Sequence, residues 1–333
     1  MRGKGEDGRV TKERQPGRHG VRSRMERRLW LRVLTAMVLA FSTPMSLVGQ
    51  TPKLVTTEEL ASWLGADRPE GGIDGAAMTL IDVRQSWISY LQNHLPGAVW
   101  LSVETLRAQQ GELPFQLLSG SQYAELFGRL GILPDGIVVI YSAGDQLDID
   151  ATFTAWVLSG AGASRVYVVD GGYAKWELEG RPLTQRYPRH APSGQRFKPK
   201  RFRPQVASLD EVEAAAAGSG PLLVDARPSE QFNGVTGAQM RRGHIPGAVN
   251  HPWRDDFHKP DLALVWKSAQ TLWEGYAAQG ITPERDIILY CNSGTEASHV
   301  FFALKYLLRY PRVRIFVGAW TQWAEREELP VER

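Results

Sequence analysis

The chain repeats itself once, and that duplication constrains the fold more than any other feature. Thr79-Leu80-Ile81-Asp82-Val83-Arg84 is answered by Leu222-Leu223-Val224-Asp225-Ala226-Arg227, and His94 to Val99 (HLPGAV) by His244 to Val249 (HIPGAV). Pro134 to Tyr141 is answered by Pro283 to Tyr290, Arg165 to Val169 by Val313 to Val317, and Gly171 to Trp176 by Gly318 to Trp323. The order is kept and the spacing between partners is nearly constant. This is the signature of a duplicated unit of domain size, not of a short-period solenoid. A chain of 333 residues has room for two such units.

Each unit alternates short apolar runs with helical patterns. Ile137–Tyr141 and Ile287–Tyr290 read as buried strands, while Ser121–Leu130 and Ala269–Gln279 carry helical periodicity. Strands alternating with helices predict an α/β fold, each unit a parallel sheet with helices on both faces. The boundaries expected are 51–184 for the first unit and 206–333 for the second. The linker 185–205 is rich in Arg, Lys, Pro and Gly and poor in aliphatics.

Charge is unevenly placed. Residues 1–24 carry eight basic and three acidic side chains, and residues 25–50 add three Arg and one Glu. The net +3 of the whole chain therefore leaves residues 51–333 at −4. A mildly acidic body has no electrostatic footprint for nucleic acid. Residues 1–50 read as a basic leader and signal peptide, with Met25 as an alternative start. Glu26 to Arg32 supplies a basic region, Val33 to Phe41 a short apolar core, and Ser42-Thr43-Pro44 a break. The apolar run is shorter than a spanning helix requires. The expectation is export to the periplasm or another extracytoplasmic site, with membrane contact only through the leader if it stays uncleaved. The Arg27-Arg28 pair admits a twin-arginine signal.

Cys291 is the only cysteine. It excludes an intramolecular disulfide and argues against a cysteine-based zinc site, so neither metal nor cofactor is expected. It stands directly after a predicted parallel strand and just before a helical run, within Cys291-Asn292-Ser293-Gly294-Thr295-Glu296-Ala297-Ser298. Ligand sites of open α/β sheets form at this rim. Helix-end N–H groups there predict a lowered thiol pKa and a working nucleophile in place of buried filler. Gly294 permits the backbone of a tight cradle.

These residues carry a family resemblance. Asp225-Ala226-Arg227, Gly243-His244-Ile245-Pro246-Gly247-Ala248, the Cys291-x-x-Gly294 loop and Gly318-Ala319-Trp320-x-x-Trp323-Ala324 together resemble the tandem-domain rhodaneses. That family includes thiosulfate and 3-mercaptopyruvate sulfurtransferases, and the resemblance spans about residues 54–331. It implies two rhodanese-like domains, the first inactive because Ser142 stands where Cys291 stands. It also implies ping-pong transfer of sulfur through a Cys291 persulfide, from a small anionic donor to a thiophilic acceptor such as cyanide or a thiol. Cys291, Ser293 and Gly294 are the implied catalytic loop, and the amides from Asn292 through Thr295 and Glu296 to Ala297 the implied cradle. Arg227 and one of Arg241 or Arg242, with Arg242 preferred, are the candidate anion clamps, since an arginine fork matches an oxyanion. A structural bridge is the alternative for Arg227, and a solvated surface role for Arg241 and Arg242. His94 is a candidate partner for Ser293, because mercaptopyruvate enzymes bring a His and an Asp from the first domain. No Asp lies between Arg84 and His94. His244 is read as holding its own turn. Trp253, Phe257 and Trp320 are candidate cleft walls, with a core role as the alternative.

Neutral Asn292 and Ser293 and acidic Glu296 favour the monocarboxylate 3-mercaptopyruvate over dianionic thiosulfate. Phosphatase chemistry on a related loop would need Arg six positions after the cysteine, where Ala297 stands. A non-catalytic sulfur-carrier or redox-binding module is the remaining alternative. The oligomeric state is open.

Overall fold

The computed structural model describes residues 52–65, 77–133, 135–145, 149–188, 197, 202 and 205–333. The leader, most of the linker and Asp148 lie outside the described residues, and no described helix is long and apolar enough to cross a membrane.

Two parallel sheets carry the duplication. In the first, β1 (Lys53–Val55), β2 (Met78–Asp82), β3 (Ala98–Trp100), β6 (Ile137–Tyr141) and β7 (Val166–Val169) stand in the order β1-β7-β6-β2-β3. In the second, β8 (Leu222–Asp225), β9 (Val249–Asn250), β12 (Ile287–Tyr290) and β13 (Val313–Ile315) stand in the order β13-β12-β8-β9. Every pairing within both sheets is parallel. Each unit adds an antiparallel hairpin: β4 (Arg107–Gln110) with β5 (Leu113–Leu117), and β10 (Phe257–His258) with β11 (Val265–Trp266).

The central strands β6 and β12 are apolar along their length and buried on both faces. In β12, Ile287 and Leu289 face one cluster while Ile288 and Tyr290 face another, as the period of two demands. Helices Leu209–Ala216 and Ala319–Ala324 cover the outer face of the second sheet, supplying Val212, Trp320 and Trp323. Helix Thr57–Leu64 and Trp176 do the same for the first. The inner faces of both sheets share one cluster, in which Ile140, Phe153 and Trp156 of the first unit join Leu289, Val300 and Phe301 of the second. Helix Asp150–Gly160 sits in this shared core, buried from Asp150 to Leu158; its middle carries no charge, and the Thr152 and Thr154 hydroxyls bond back to the Ile149 and Asp150 carbonyls.

One buried ion pair recurs at the carboxyl end of each sheet. Arg227 donates from its backbone N to Asp225 Oδ1 at 2.9 Å, from Nε to Oδ1 and Oδ2 at 2.9 and 3.0 Å, and from Nη2 to Oδ2 at 2.5 Å. Nη2 also reaches the Gly243 carbonyl at 2.8 Å, and the guanidinium lies over the Trp320 ring. Arg84 repeats this on Asp82, reaching the Asn93 carbonyl at 2.6 Å and lying over Tyr173. The expected anion clamp is thus corrected: Arg227 is 1% exposed and its fork holds Asp225. The unit that lacks the cysteine has the same arrangement, so the fork serves the fold.

The histidines of the two His-x-Pro-Gly turns are also matched. His94 Nδ1 and Nε2 face the carbonyls of Tyr90 and Arg186 at 2.8 and 3.2 Å, and the ring is stacked on Tyr90. His244 Nδ1 faces the Phe232 carbonyl at 2.9 Å. His94 is 0% exposed with both nitrogens occupied, so the expectation that it partners Ser293 is corrected as well.

Removing one partner of a buried pair leaves an uncompensated charge, at a cost of about 3–5 kcal/mol. Arg84→Ala and Arg227→Ala should therefore lose stability by similar amounts. Chemical denaturation checks this; a loss confined to Arg227→Ala would show that the two forks are not equivalent.

Candidate active site

Cys291 follows the last residue of β12, and its side chain turns inward to the shared core, 0% exposed. Its carbonyl accepts from Trp320 N at 2.7 Å, and Thr321 Oγ1 donates to the Asn292 carbonyl at 2.8 Å. Asn292 Nδ2 donates to Gln231 Oε1 at 2.8 Å. These bonds fix the loop from the side of the second sheet. Gly294 has φ of +89°, where any other residue would be strained, and turns the chain into helix Thr295–Phe301. A π-helical turn continues it over Phe302–Leu307.

The loop curls its N–H groups onto the sulfur. Gly294 N donates to Cys291 Sγ at 3.1 Å, and the amides of Ser293 and Ala297 also point at it. Of the loop amides expected to hold the sulfur, those of Ser293, Gly294 and Ala297 act on it, and the thiol pKa is not lowered as expected. Burial, with the Glu296 carboxylate beside it, pushes the Cys291 thiol up to about 12, against the pull of the three amides. Desolvation outweighs the amide dipoles because no cation's charge reaches the sulfur strongly enough to offset it.

Glu296 is the charged neighbour. Its carboxyl lies beside the thiol and the Asn292 amide, and both favour its charged form. Burial and the nearby Asp225 raise it to about 7, opposed by Arg227 and by those two groups.

The loop opens onto a cleft of about 410 Å³ walled by both units. Asn292, Ser293, Thr295 and Glu296 come from the second; Gln85, Glu104, Arg107 and Asp150 are the polar residues that matter from the first. Arg107 is the residue that sequence reading missed. Its Nη1 donates to Thr295 Oγ1 at 3.1 Å and lies 3.4 Å from the Ser293 carbonyl. Its Nε holds Glu104 Oε2 at 2.9 Å, its Nη2 pairs with Glu104 Oε1, and Phe115 lies beneath the guanidinium. In the duplicate alignment its counterpart is Phe257, so no repeated motif marks it. Asp150 was missed too, because it belongs to no repeated motif. Among the described residues Asp150 Oδ2 has no hydrogen-bond partner, and burial raises the carboxyl to about 7 despite Arg107 and Gln85, which favour its charged form.

The other expected site residues fall elsewhere. Arg242 is exposed, with one 3.4 Å contact to the Val235 carbonyl, and Arg241 ties its loop to the carbonyls of Arg326 and Leu329. Neither lines the cleft. Trp253 and Phe257 pack around buried His299, and Trp320 lies under Arg227. The core reading of all three aromatics is the one the structure supports.

The sequence comparisons agree with this architecture. The rhodanese-like domain family matches residues 57–179 and 208–326. Among curated relatives, the thiosulfate sulfurtransferase of Corynebacterium glutamicum is 31% identical, over 82% of this chain and 89% of its own length. The sulfur carrier protein TtuD of Thermus thermophilus is 33% identical, over 78% of this chain and 93% of its own. The crystal structure of the 3-mercaptopyruvate sulfotransferase SseA from Escherichia coli superposes with a TM-score of 0.65 at 28% identity, covering 81% of this chain and 99% of that one. Two parallel sheets, each ending in the same Asp–Arg fork, with one cysteine cradle between them, define a tandem rhodanese-like protein. The chain belongs to the rhodanese family, whose sulfurtransferases share its full two-domain span.

A carboxyl raised in the folded state is favoured when protonated, so its contribution to stability is full below the ordinary carboxyl range. That contribution is lost as pH rises through the folded value. For Asp150 the window runs from its ordinary 3.8 to about 7. Asp150→Asn should therefore melt above the wild type at pH 8, with the difference closing as pH falls toward 4. Melting curves across that range check the sign.

Proposed function

We propose that the protein is a sulfurtransferase that carries sulfur on Cys291 as a persulfide, passing it from a small donor to a thiol or to cyanide. The observation that carries this is the sulfur itself, ringed by the amides of Ser293, Gly294 and Ala297. Such a ring suits the terminal sulfur of a persulfide, which has no proton of its own to donate once ionised. Ser142 occupies the matching place in the first unit and has no comparable route to a persulfide.

A donor of low charge fits the cleft best. Among the described residues that line it, Arg107 is the one cation and is already paired with Glu104, while Asp150 and Glu296 add two more carboxyls. A dianion such as thiosulfate meets more repulsion there than a monocarboxylate such as 3-mercaptopyruvate. Arg107, bridging the catalytic loop, is the group placed to receive the donor's carboxylate. Arg107→Ala should lower kcat/KM for 3-mercaptopyruvate by about 10-fold or more, the worth of a charge-assisted hydrogen bond. Arg107→Lys should recover only part of it, because a point charge lacks the fork. Equal kcat/KM in all three proteins would remove Arg107 from donor binding.

The direct test is intact mass. After exposure to 3-mercaptopyruvate or thiosulfate the wild type should gain one sulfur, about 32 Da. Cys291→Ser should gain none, and Ser142→Ala should behave as the wild type. The resemblance to TtuD favours a second reading, a sulfur carrier that holds the persulfide for a protein acceptor. Multiple turnover with cyanide distinguishes an enzyme from a carrier, which would load once and stop.

A further inference from the structure

The thiol of Cys291 has a problem that the loop amides do not solve. It must lose a proton to attack sulfur, yet it is fully buried and water has no direct access to it. The amides around it donate and cannot accept. Among the described residues, the carboxyl that acts on it is that of Glu296, on the first turn of the following helix and beside the sulfur. Glu296 also lines the cleft where a donor must sit. One carboxyl thus lies beside the nucleophile and faces the place where a leaving group forms.

We propose that Glu296 is a catalytic proton shuttle, which takes the Cys291 thiol proton as sulfur is attacked and hands it to the departing group. This rests on the persulfide reading above. The Cys291 sulfur, freed of its proton, forms the S–S bond to the donor's transferable sulfur. The bond from that sulfur to the rest of the donor breaks, and its electron pair leaves with the departing fragment. That fragment is the enolate of pyruvate from 3-mercaptopyruvate, or sulfite from thiosulfate. The proton on Glu296 then yields pyruvate or bisulfite. In the second half-reaction the acceptor takes the outer sulfur and the Cys291 thiolate is released; it takes up the proton that 3-mercaptopyruvate left on the persulfide, or one from solvent after thiosulfate, while Glu296 stays ionised for the next cycle. No oxidant or reductant enters.

The surroundings suit the task. Asp225 and Arg227, from the end of β8, act on Glu296 with opposite sign, and Cys291 and the Asn292 amide favour its charged form. Across the cleft stand Glu104, Arg107 and Asp150. Burial leaves the carboxyl near 7, where it both accepts and returns a proton at neutral pH. An ionised Glu296 also disfavours the thiolate by like charge. Two roles therefore predict opposite results: a mere electrostatic brake would make the neutral variant faster, and a shuttle would make it slower.

The test uses the full chain, as wild type, Glu296→Gln and Glu296→Asp, with 3-mercaptopyruvate as donor. Single-turnover persulfide formation is followed by quenched-flow mass spectrometry, and Cys291 alkylation by iodoacetamide is measured in parallel. Persulfide formation in Glu296→Gln should fall by about 10²- to 10⁴-fold, while alkylation at pH 8 stays equal or rises. The wild-type rate should climb with pH through about 7 as Glu296 ionises, and this limb should vanish in Glu296→Gln. Glu296→Asp should keep the limb at a reduced rate, which holds the test open should Glu296→Gln fail to fold. Persulfide formation in Glu296→Gln within about threefold of the wild type, or a parallel fall of transfer and alkylation, overturns the shuttle. If the wild type itself gains no sulfur, the persulfide reading fails first, and that outcome is distinct.

Discussion

The Asp–Arg fork at the end of β8 is the contact on which the site depends. Asp225 is the last residue of the strand, paired in register with Tyr290 at the end of β12, one residue before Cys291. Arg227 fastens that carboxylate, reaches the Gly243 carbonyl, and lies over Trp320. Trp320 N in turn holds the Cys291 carbonyl. The chain of contacts therefore runs from a buried ion pair to the backbone of the nucleophile. Burying such a pair is costly unless its hydrogen bonds are complete, and here they nearly saturate the carboxylate. The same construction beneath Ser142 shows that it is the architecture of the unit, present also where serine stands in the cysteine's place.

Above that frame the loop balances two opposed effects. Three amides favour negative sulfur, while burial and Glu296 oppose it. Opposition wins at rest, so the thiol keeps its proton. A buried, protonated thiol is sheltered from casual oxidation and alkylation, since the thiolate is the reactive form. The amides remain aimed at the site of developing charge, where preorganised donors act most strongly.

The cleft exists because the two units cross over one another. The first unit's β4 brings Arg107 to the loop at Ser293 and Thr295. In return, Leu264 N of the second unit donates to the Gly144 carbonyl beside Ser142, and Trp266 N donates to Asp170. Each hairpin thus reaches the other unit's loop. The inner faces of both sheets share one core beside this exchange. The first unit, with Ser142 in the matching place, supplies three of the cleft's four charged side chains, Glu104, Arg107 and Asp150, and the second supplies Glu296.

Much of this was legible in the sequence. The duplication, the parallel sheets and the place of Cys291 at a strand end follow from local pattern. Buried parallel strands must be apolar and helices periodic, and the Gly294 turn needs no distant partner. What the residues of a motif do was less legible. Arg227 and His94 look like site residues because they recur in charged or polar motifs, yet their partners are Asp225, Tyr90 and Arg186, close-packed and sealed. Arg107 and Asp150 carry no motif and still line the cleft, because they are brought there by the docking of two units over 180 residues of chain separation for the Arg107–Thr295 contact. The thiol's proton affinity was likewise beyond sequence. A strand-end cysteine before a helix always has amides near it, but whether desolvation overrides them depends on how deeply tertiary packing buries the sulfur and which carboxyl is buried beside it.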